Sequence, residues 1–147
     1  MTPRTLAASA VLLLLASFAP VANAQTEQRQ LDAVLEALVS AWSRGDAAAI
    51  VALAARAGVS LDVTGETVGP LVQRQATAVL RGVIENRETV TLEAEGRIVG
   101  GAPARAAGEL TWVTRPRDTT DVERRTVFVE LVREADEWRV TFIRLLQ

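Results

Sequence analysis

Residues 126–146 read TVFVELVREADEWRVTFIRLL, and this stretch decides the fold class. Thr126 to Arg133 is rich in Val and Phe and predicts a strand, Glu134 to Glu137 predicts a tight polar turn, and Trp138 to Leu146 predicts a second strand. The large side chains of the second strand divide between two faces: Trp138, Val140 and Phe142 on one, Thr141, Ile143 and Leu145 near the other. Because both strands are apolar on both faces, we expect them to be central in a sheet or covered on both sides.

Upstream of this hairpin the period of two continues. Apolar residues alternate with polar ones from Val90 to Ile98 and from Ala106 to Trp112, with the turn 100–103 between them and a polar loop from Arg115 to Glu123 before the hairpin. Consecutive hairpins predict one curved antiparallel sheet. The glycines inside these strands, Gly96 and Gly108, are predicted bend or bulge positions.

Helical spacing dominates the first part of the chain. An apolar stripe with spacing i, i+3, i+4, i+7 runs from Leu31 to Trp42 and predicts an amphipathic helix ended by Gly45. Asp46 is the expected N-cap of a second helix over 47–56, a short strand is predicted over 59–64, and a third helix over 70–86 with Pro70 in its first turn. Helices followed by a run of hairpins indicate an α+β fold.

Residues 1–24 have the features of a secretory signal peptide. Arg4 supplies a positive charge, an apolar run extends from Leu6 to Phe18, and Ala22-Asn23-Ala24 fits a cleavage site for small residues. The run is shorter than the ~20 residues of a membrane span. We therefore expect an exported protein, periplasmic or secreted, with one domain over 25–147 and no membrane span after cleavage.

Composition excludes several kinds of chemistry. The 147 residues include no Cys, His, Tyr or Lys, so there is no thiolate nucleophile, imidazole base, Schiff-base amine or Cys/His metal site. A net charge of -2 with both signs mixed argues against nucleic-acid binding, which needs a concentrated basic face. We expect neither a cofactor nor a bound metal.

A family resemblance rests on two local motifs and on the order of elements. The segment Trp42-Ser43-Arg44-Gly45-Asp46-Ala47 resembles the turn between the first two helices of the nuclear-transport-factor-2-like (NTF2-like) superfamily, and the 126–146 hairpin resembles its last hairpin. The third helix, with Gln75-Ala76 and Val79-Leu80, and the later Gly108 resemble those of small secreted bacterial domains of unknown function within it. The resemblance implies a cone-shaped α+β fold in which three helices pack on the concave side of a curved antiparallel sheet. Because that superfamily contains isomerases, dehydratases, cyclases, carriers and dimerisation modules, it fixes no function.

Four residues are candidate ligand-binding positions: Trp112, Asp62, Glu130 and Arg144. A buried carboxylate at Asp62 or Glu130 would provide a general base, and solvation or pairing with arginine is the structural alternative. Arg144 shares a strand face with Phe142 and would clamp an anionic ligand or form an ion pair with Glu130 or Asp62. Trp112 would line a cavity or belong to the core, where Trp42 and Trp138 are expected.

The sequence therefore predicts a non-catalytic binding or interaction module. Its partner would be a small apolar molecule held in the cone, or a second copy packed against the sheet to form a homodimer. The first alternative is an isomerase or hydrolase that uses carboxylates alone. The second is a structural domain of the cell envelope, whose cone would be filled by Trp42, Trp112, Phe128 and Phe142.

Overall fold

Three helices pack on one face of a six-stranded sheet. The computed structural model describes residues 19–146, and residues 1–18 of the predicted signal peptide lie outside them. The elements in chain order are α1 Ala19–Ser43, α2 Ala47–Ala52, β1 Val59–Asp62, β2 Thr67–Leu71, α3 Gln73–Ile84, β3 Arg87–Gly100, β4 Arg105–Pro116, β5 Glu123–Glu134 and β6 Glu137–Leu146. The predicted α+β architecture, with three helices and a curved sheet, is confirmed.

The strand order is β2-β1-β6-β5-β4-β3, so the hairpin of residues 126–146 forms the centre of the sheet as predicted. Neighbours pair antiparallel except β1 and β6, which run parallel with Asp62 opposite Arg144. The turn after β5 has positive φ at Ala135 and Asp136, as the tight two-residue hairpin turn requires. The helices cover only one face of these two central strands, although both faces carry apolar side chains.

The start of the third helix was predicted too early. Residues 67–71 form β2, an edge strand paired with β1, and α3 begins only at Gln73. Pro70 lies in that edge strand and not in the first turn of a helix. An edge strand tolerates proline because the missing N–H faces away from the sheet, so a Gly-Pro pair alone does not distinguish the two structures.

The turn between α1 and α2 forms as the sequence predicts. Gly45 has φ 68°, its N–H donates to the Trp42 carbonyl, and Asp46 N–H donates to the Ala41 carbonyl, which is the Schellman pattern. The Asp46 carboxylate then accepts a hydrogen bond from Ala49 N–H at 3.0 Å and caps α2. Helix α2 is shorter than predicted because the backbone of the following residues, including Leu53, bonds to Val140 of β6.

A bulge in β6 overturns the predicted division of its side chains. Glu130 pairs with Phe142 but Leu131 pairs with Val140, so Thr141 is an extra residue and the alternation shifts by one position. Trp138 and Val140 face the helices, and Phe142 lies on the opposite face, which we call the outer face of the sheet. The sequence predicted Phe142 beside Trp138 because simple alternation cannot reveal an inserted residue.

The register is unbroken at Gly96 and Gly108, so of the bend or bulge predicted there the bulge does not form. These two glycines pair with each other, and the register of β3 shifts instead between Thr89 and Thr91 and between Ile98 and Gly100. A Cβ at Gly96 would collide with the Leu35 side chain of α1, and one at Gly108 would lie 2.9 Å from it. The glycine pair therefore forms a notch in the sheet that lets α1 approach closely.

Large apolar side chains fill the space between the helices and the sheet. Among those almost fully buried are Trp42, Trp112, Trp138, Leu31, Leu38, Ile50, Leu61, Leu80, Leu110, Leu131 and Ile143. The first core residue of α1 is Leu31, and residues 21–26 are all exposed. No helix within residues 19–146 is long and apolar enough to cross a membrane.

Candidate functional site

Two tryptophans occupy the interior of the cone. The rings of Trp42 and Trp112 meet edge to face, with centroids 5.4 Å apart and planes at 80°. Trp112 is 1% exposed, and its indole N–H donates to the Thr89 hydroxyl at 2.9 Å. The Trp42 indole N–H has no hydrogen-bond partner in the described part of the chain. Trp112, a candidate ligand-binding residue, therefore lies in the core with its polar atom already bonded.

The β1–β6 pairing brings Asp62 and Arg144 together. Arg144 Nε donates to Asp62 Oδ2 at 2.9 Å, and Gly65 N–H donates to Asp62 Oδ1 at 2.9 Å. The Asp62 side chain is 10% exposed, whereas that of Arg144 is 44% exposed. The Arg144 guanidinium also lies 5.1 Å from the centre of the Phe142 ring. Of the two ion pairs expected for Arg144, the one with Asp62 forms.

Glu130 lies apart from that pair. It is exposed on the outer face of β5, in register with Ala107 on one side and Phe142 on the other. Its backbone carbonyl accepts a hydrogen bond from the Thr141 hydroxyl at 3.2 Å. Since the helices pack on the other face of the sheet, Glu130 points away from the interior of the cone.

The outer face of the sheet carries a wide groove. It has a volume of about 840 Å³ and runs across β4, β5 and β6, with Pro70 of β2 at one wall and Val99 of β3 at the other. Its floor is apolar and includes Ala107, Phe128, Val132 and Phe142. We call this surface the outer groove. Phe128 and Phe142, expected inside the cone if the protein were purely structural, are half-buried here instead.

The outer groove also contains two acids and one base, and one of the acids, Glu134, accepts a hydrogen bond from Arg56 N–H at 3.2 Å. Glu130 and Arg105 both line it, and both are exposed. Neither makes an ion pair with any residue between 19 and 146. Two opposite charges beside an apolar floor suit a partner that is apolar at its centre and charged at its rim.

Comparison with known proteins is informative at the level of structure alone. No protein-family model matches the chain, and no curated protein matches it in sequence. An NTF2-like protein with a cystatin-like fold from Novosphingobium aromaticivorans superposes with a TM-score of 0.65 and 14% identity, covering 92% of this chain and 90% of that one. A ketosteroid isomerase-like protein from Erwinia carotovora atroseptica gives 0.63 and 18% identity, covering 81% and 94%.

The chain has an NTF2-like fold. A DUF4783 family protein from Bacteroides ovatus shares it with a TM-score of 0.56 and 12% identity, covering 74% of this chain and 90% of that one. At identities of 12–18% the likeness establishes the NTF2-like fold and leaves the function to be argued from the site.

One charged cluster on this NTF2-like scaffold was missed by sequence reasoning. Glu123 accepts hydrogen bonds from Arg125 and from Arg87, each at 2.9 Å. The Arg125 hydrogen bonds, followed by that of Arg87, hold the pKa of the Glu123 carboxyl below its usual 4.5. The sequence placed Glu123 at the end of a polar loop, and no local signal brings Arg87 of β3 to it.

Proposed function

We propose that this protein is an exported, non-catalytic interaction module that associates with a second copy of itself through the outer groove. The observation that carries the proposal is the position of Phe128 and Phe142. Both aromatic side chains lie on the sheet face opposite the helices and line an 840 Å³ apolar groove. Contiguous apolar surface of this kind on a soluble domain marks an interaction site.

A second copy suits the groove because two of the charges in it, Glu130 and Arg105, are complementary. In a two-fold dimer the same patch meets itself, so a contact from Glu130 to the partner's Arg105 would occur twice. Each pair would satisfy two charges that lack an ion-pair partner within residues 19–146. A groove with one sign of charge would offer no such match.

A small apolar ligand is the second candidate, and the volume of the outer groove supports it. Small-molecule sites enclose about 300–1,000 Å³ and are mostly apolar, and the groove falls within that range. Trp42 and Trp112 already fill the middle of the cone, so the outer face is the more favourable place for such a molecule. Native mass spectrometry separates the candidates, because a ligand adds a reproducible mass and a second copy doubles the mass.

A carboxylate-dependent isomerase or hydrolase is less well supported. Both oxygens of Asp62 already accept hydrogen bonds, from Arg144 and from Gly65. Glu130, the other candidate base, is exposed on the outer face, where no enclosing site would exclude water from it. Replacing Asp62 with Asn and Glu130 with Gln should leave any turnover intact, and loss of turnover in a folded double variant would favour catalysis.

The exposure of the helix start is compatible with export. Cleavage after Ala24 would remove residues 21–24, which are all exposed, and would retain Leu31 and the rest of the core. The Glu27 carbonyl, which accepts a hydrogen bond from the Trp138 indole at 3.2 Å, would also be retained. Processing at the predicted site would therefore leave the packing of α1 in place.

The test is the oligomeric state of the purified protein by sedimentation equilibrium. The wild type should be a dimer, and Phe142→Glu should weaken dimerisation by at least about a hundredfold, because one substitution acts twice in a symmetric interface and central aromatics contribute about 2 kcal/mol or more each. Val122→Glu is the matched control, since Val122 is 57% exposed in a loop outside the groove. A monomeric wild type, or equal dimerisation by the folded Phe142→Glu variant, would refute the proposal.

A further inference from the structure

The outer edge of β3 is an open strand edge. In the described part of the chain the sheet ends at β3, so no strand pairs with its second side. Pairing with β4 is regular from Thr91 to Ile98, and register shifts bound this segment at both ends. A regular, unpaired edge presents a row of backbone N–H and C=O groups that can accept another strand.

A groove between this edge and helix α1 gives the edge a defined environment. The groove has a volume of about 620 Å³, and its apolar lining includes Leu35 and Val39 of α1 and Leu92 and Ala94 of β3. Gln28 of α1 donates to the Gly96 carbonyl at 3.3 Å, which ties the helix to the strand beside the groove. A strand added to β3 would direct every second side chain towards these apolar residues.

Carboxylates surround the same edge. Asp32 and Glu36 of α1 are exposed at the rim of the groove, and Glu93 and Glu95 are exposed on the other face of β3, where Arg97 is the neighbouring cation. Glu95 also stands directly opposite Glu109 of β4, an unfavourable like-charge pair that a cation above it would relieve. The charge at this edge therefore favours a basic partner.

We propose that the β3 edge binds an extended peptide segment in which apolar and basic residues alternate. The added strand extends the sheet through backbone hydrogen bonds. Its apolar side chains enter the groove beside Leu35 and Val39, and its arginines or lysines face Glu93 and Glu95. Antiparallel pairing of two β3 edges about Glu95 would place that glutamate opposite its own copy, whereas a basic peptide places a cation there. The surface is distinct from the outer groove and does not depend on self-association.

The probe is a fluorescein-labelled peptide of about eight residues, TVRVRVRT, measured by fluorescence anisotropy with the purified protein. We expect saturable binding that the double variant Glu93→Lys/Glu95→Lys weakens by about tenfold or more, because it replaces attraction with repulsion at two positions. The matched control is Glu66→Lys/Glu85→Lys, which makes the same charge change at two exposed acids outside the 91–98 segment of β3. Equal losses in both variants would overturn the proposal.

Two modified peptides test the backbone pairing itself. A peptide of the same composition with its three arginines adjacent should bind at least about tenfold more weakly, because the alternation is lost. N-methylation of one alternate set of residues should abolish binding while methylation of the other set is tolerated, because an added strand pairs along one of its edges only. No binding by TVRVRVRT, equal binding by the rearranged peptide, or tolerance of both N-methylated peptides would overturn the proposal.

Discussion

At the scale of single residues, a missing side chain positions the longest helix. Gly96 and Gly108 stand opposite each other in β3 and β4, and Leu35 of α1 lies in the space that their Cβ atoms would occupy. Because the interior is close-packed, the helix cannot move outward without losing contacts along its whole apolar stripe. The distance between α1 and the sheet is therefore set by the absence of a Cβ atom at Gly96 and Gly108.

Gly96→Ala should destabilise the protein by about 1–3 kcal/mol, because its methyl group overpacks against Leu35. The other atoms near that Cβ position lie 3.5 Å or more away, so the clash is with one side chain. In a Leu35→Ala background the same substitution should cost at least about 1 kcal/mol less. Urea unfolding of the wild type, the two single variants and the double variant measures the coupling. If the two changes in the free energy of unfolding simply add, Leu35 does not occupy the space above Gly96.

The Glu123 cluster should make stability depend on pH. Because the folded-state pKa of Glu123 lies below 4.5, its contribution is present above pH about 4.5 and is lost as the pH falls through the folded-state value. Glu123→Gln should therefore reduce the free energy of unfolding between pH 5 and 7, and the deficit should shrink below pH about 4. Thermal unfolding of both proteins across this range measures it, and a deficit independent of pH would rule out the ion-pair cluster.

Residue-level predictions from the sequence succeeded where the physics is local. Gly45 and Asp46 were assigned correctly because a C-cap and an N-cap depend on neighbours a few positions away. The Asp62–Arg144 pair was foreseen only as one of several partners, because strand register decides which carboxylate reaches the arginine. Register depends on the whole sheet, and the sequence does not state it.

At the scale of elements, local exceptions to a regular pattern escaped prediction. The Thr141 bulge moves Phe142 from the helix face to the outer face, and so creates the aromatic floor of the outer groove. The edge strand β2 was taken for the start of a helix because Pro70 is compatible with either structure. In β6 the predicted alternation was wrong by one residue, and in α3 the predicted start was too early by about one helical turn.

The α1–α2 junction offers a prediction about an element boundary. Asp46→Ala should lower the free energy of unfolding by about 0.5–2 kcal/mol, because Ala49 N–H loses its side-chain acceptor at the start of α2. Asp46→Asn keeps an oxygen in the same place and should recover most of that loss. Chemical denaturation distinguishes the two variants, and equal destabilisation by both would show that the hydrogen bond is not the stabilising element.

At the scale of the whole molecule, the two faces of the sheet differ in burial and in composition. The inner face is apolar and buried under the helices, and it provides the core. The outer face keeps Phe128 and Phe142 half-buried beside Glu130 and Arg105, two charges without an ion-pair partner among residues 19–146. The fold class was predictable from the order of the elements. Which side chains lie on which face of the sheet depends on the strand register, which the sequence pattern does not reveal.

A charge exchange should reveal whether Glu130 meets Arg105 across two copies. Glu130→Arg alone and Arg105→Glu alone should each weaken self-association by about tenfold or more, because each places like charges together twice. An equimolar mixture of the two variants should regain dimers, since both contacts in the mixed pair then join opposite charges. Native mass spectrometry identifies the mixed dimer by its mass, and its absence would contradict the proposed contact.

The parallel pairing of β1 with β6 also has a consequence for folding. Asp62 and Arg144 are 82 positions apart, yet they bond side by side in the middle of the sheet. Such distant contacts raise contact order and slow folding, because a long loop must close before they contribute. Because β6 lies between β1 and β5, the first two strands have no place in the sheet until the last one joins them.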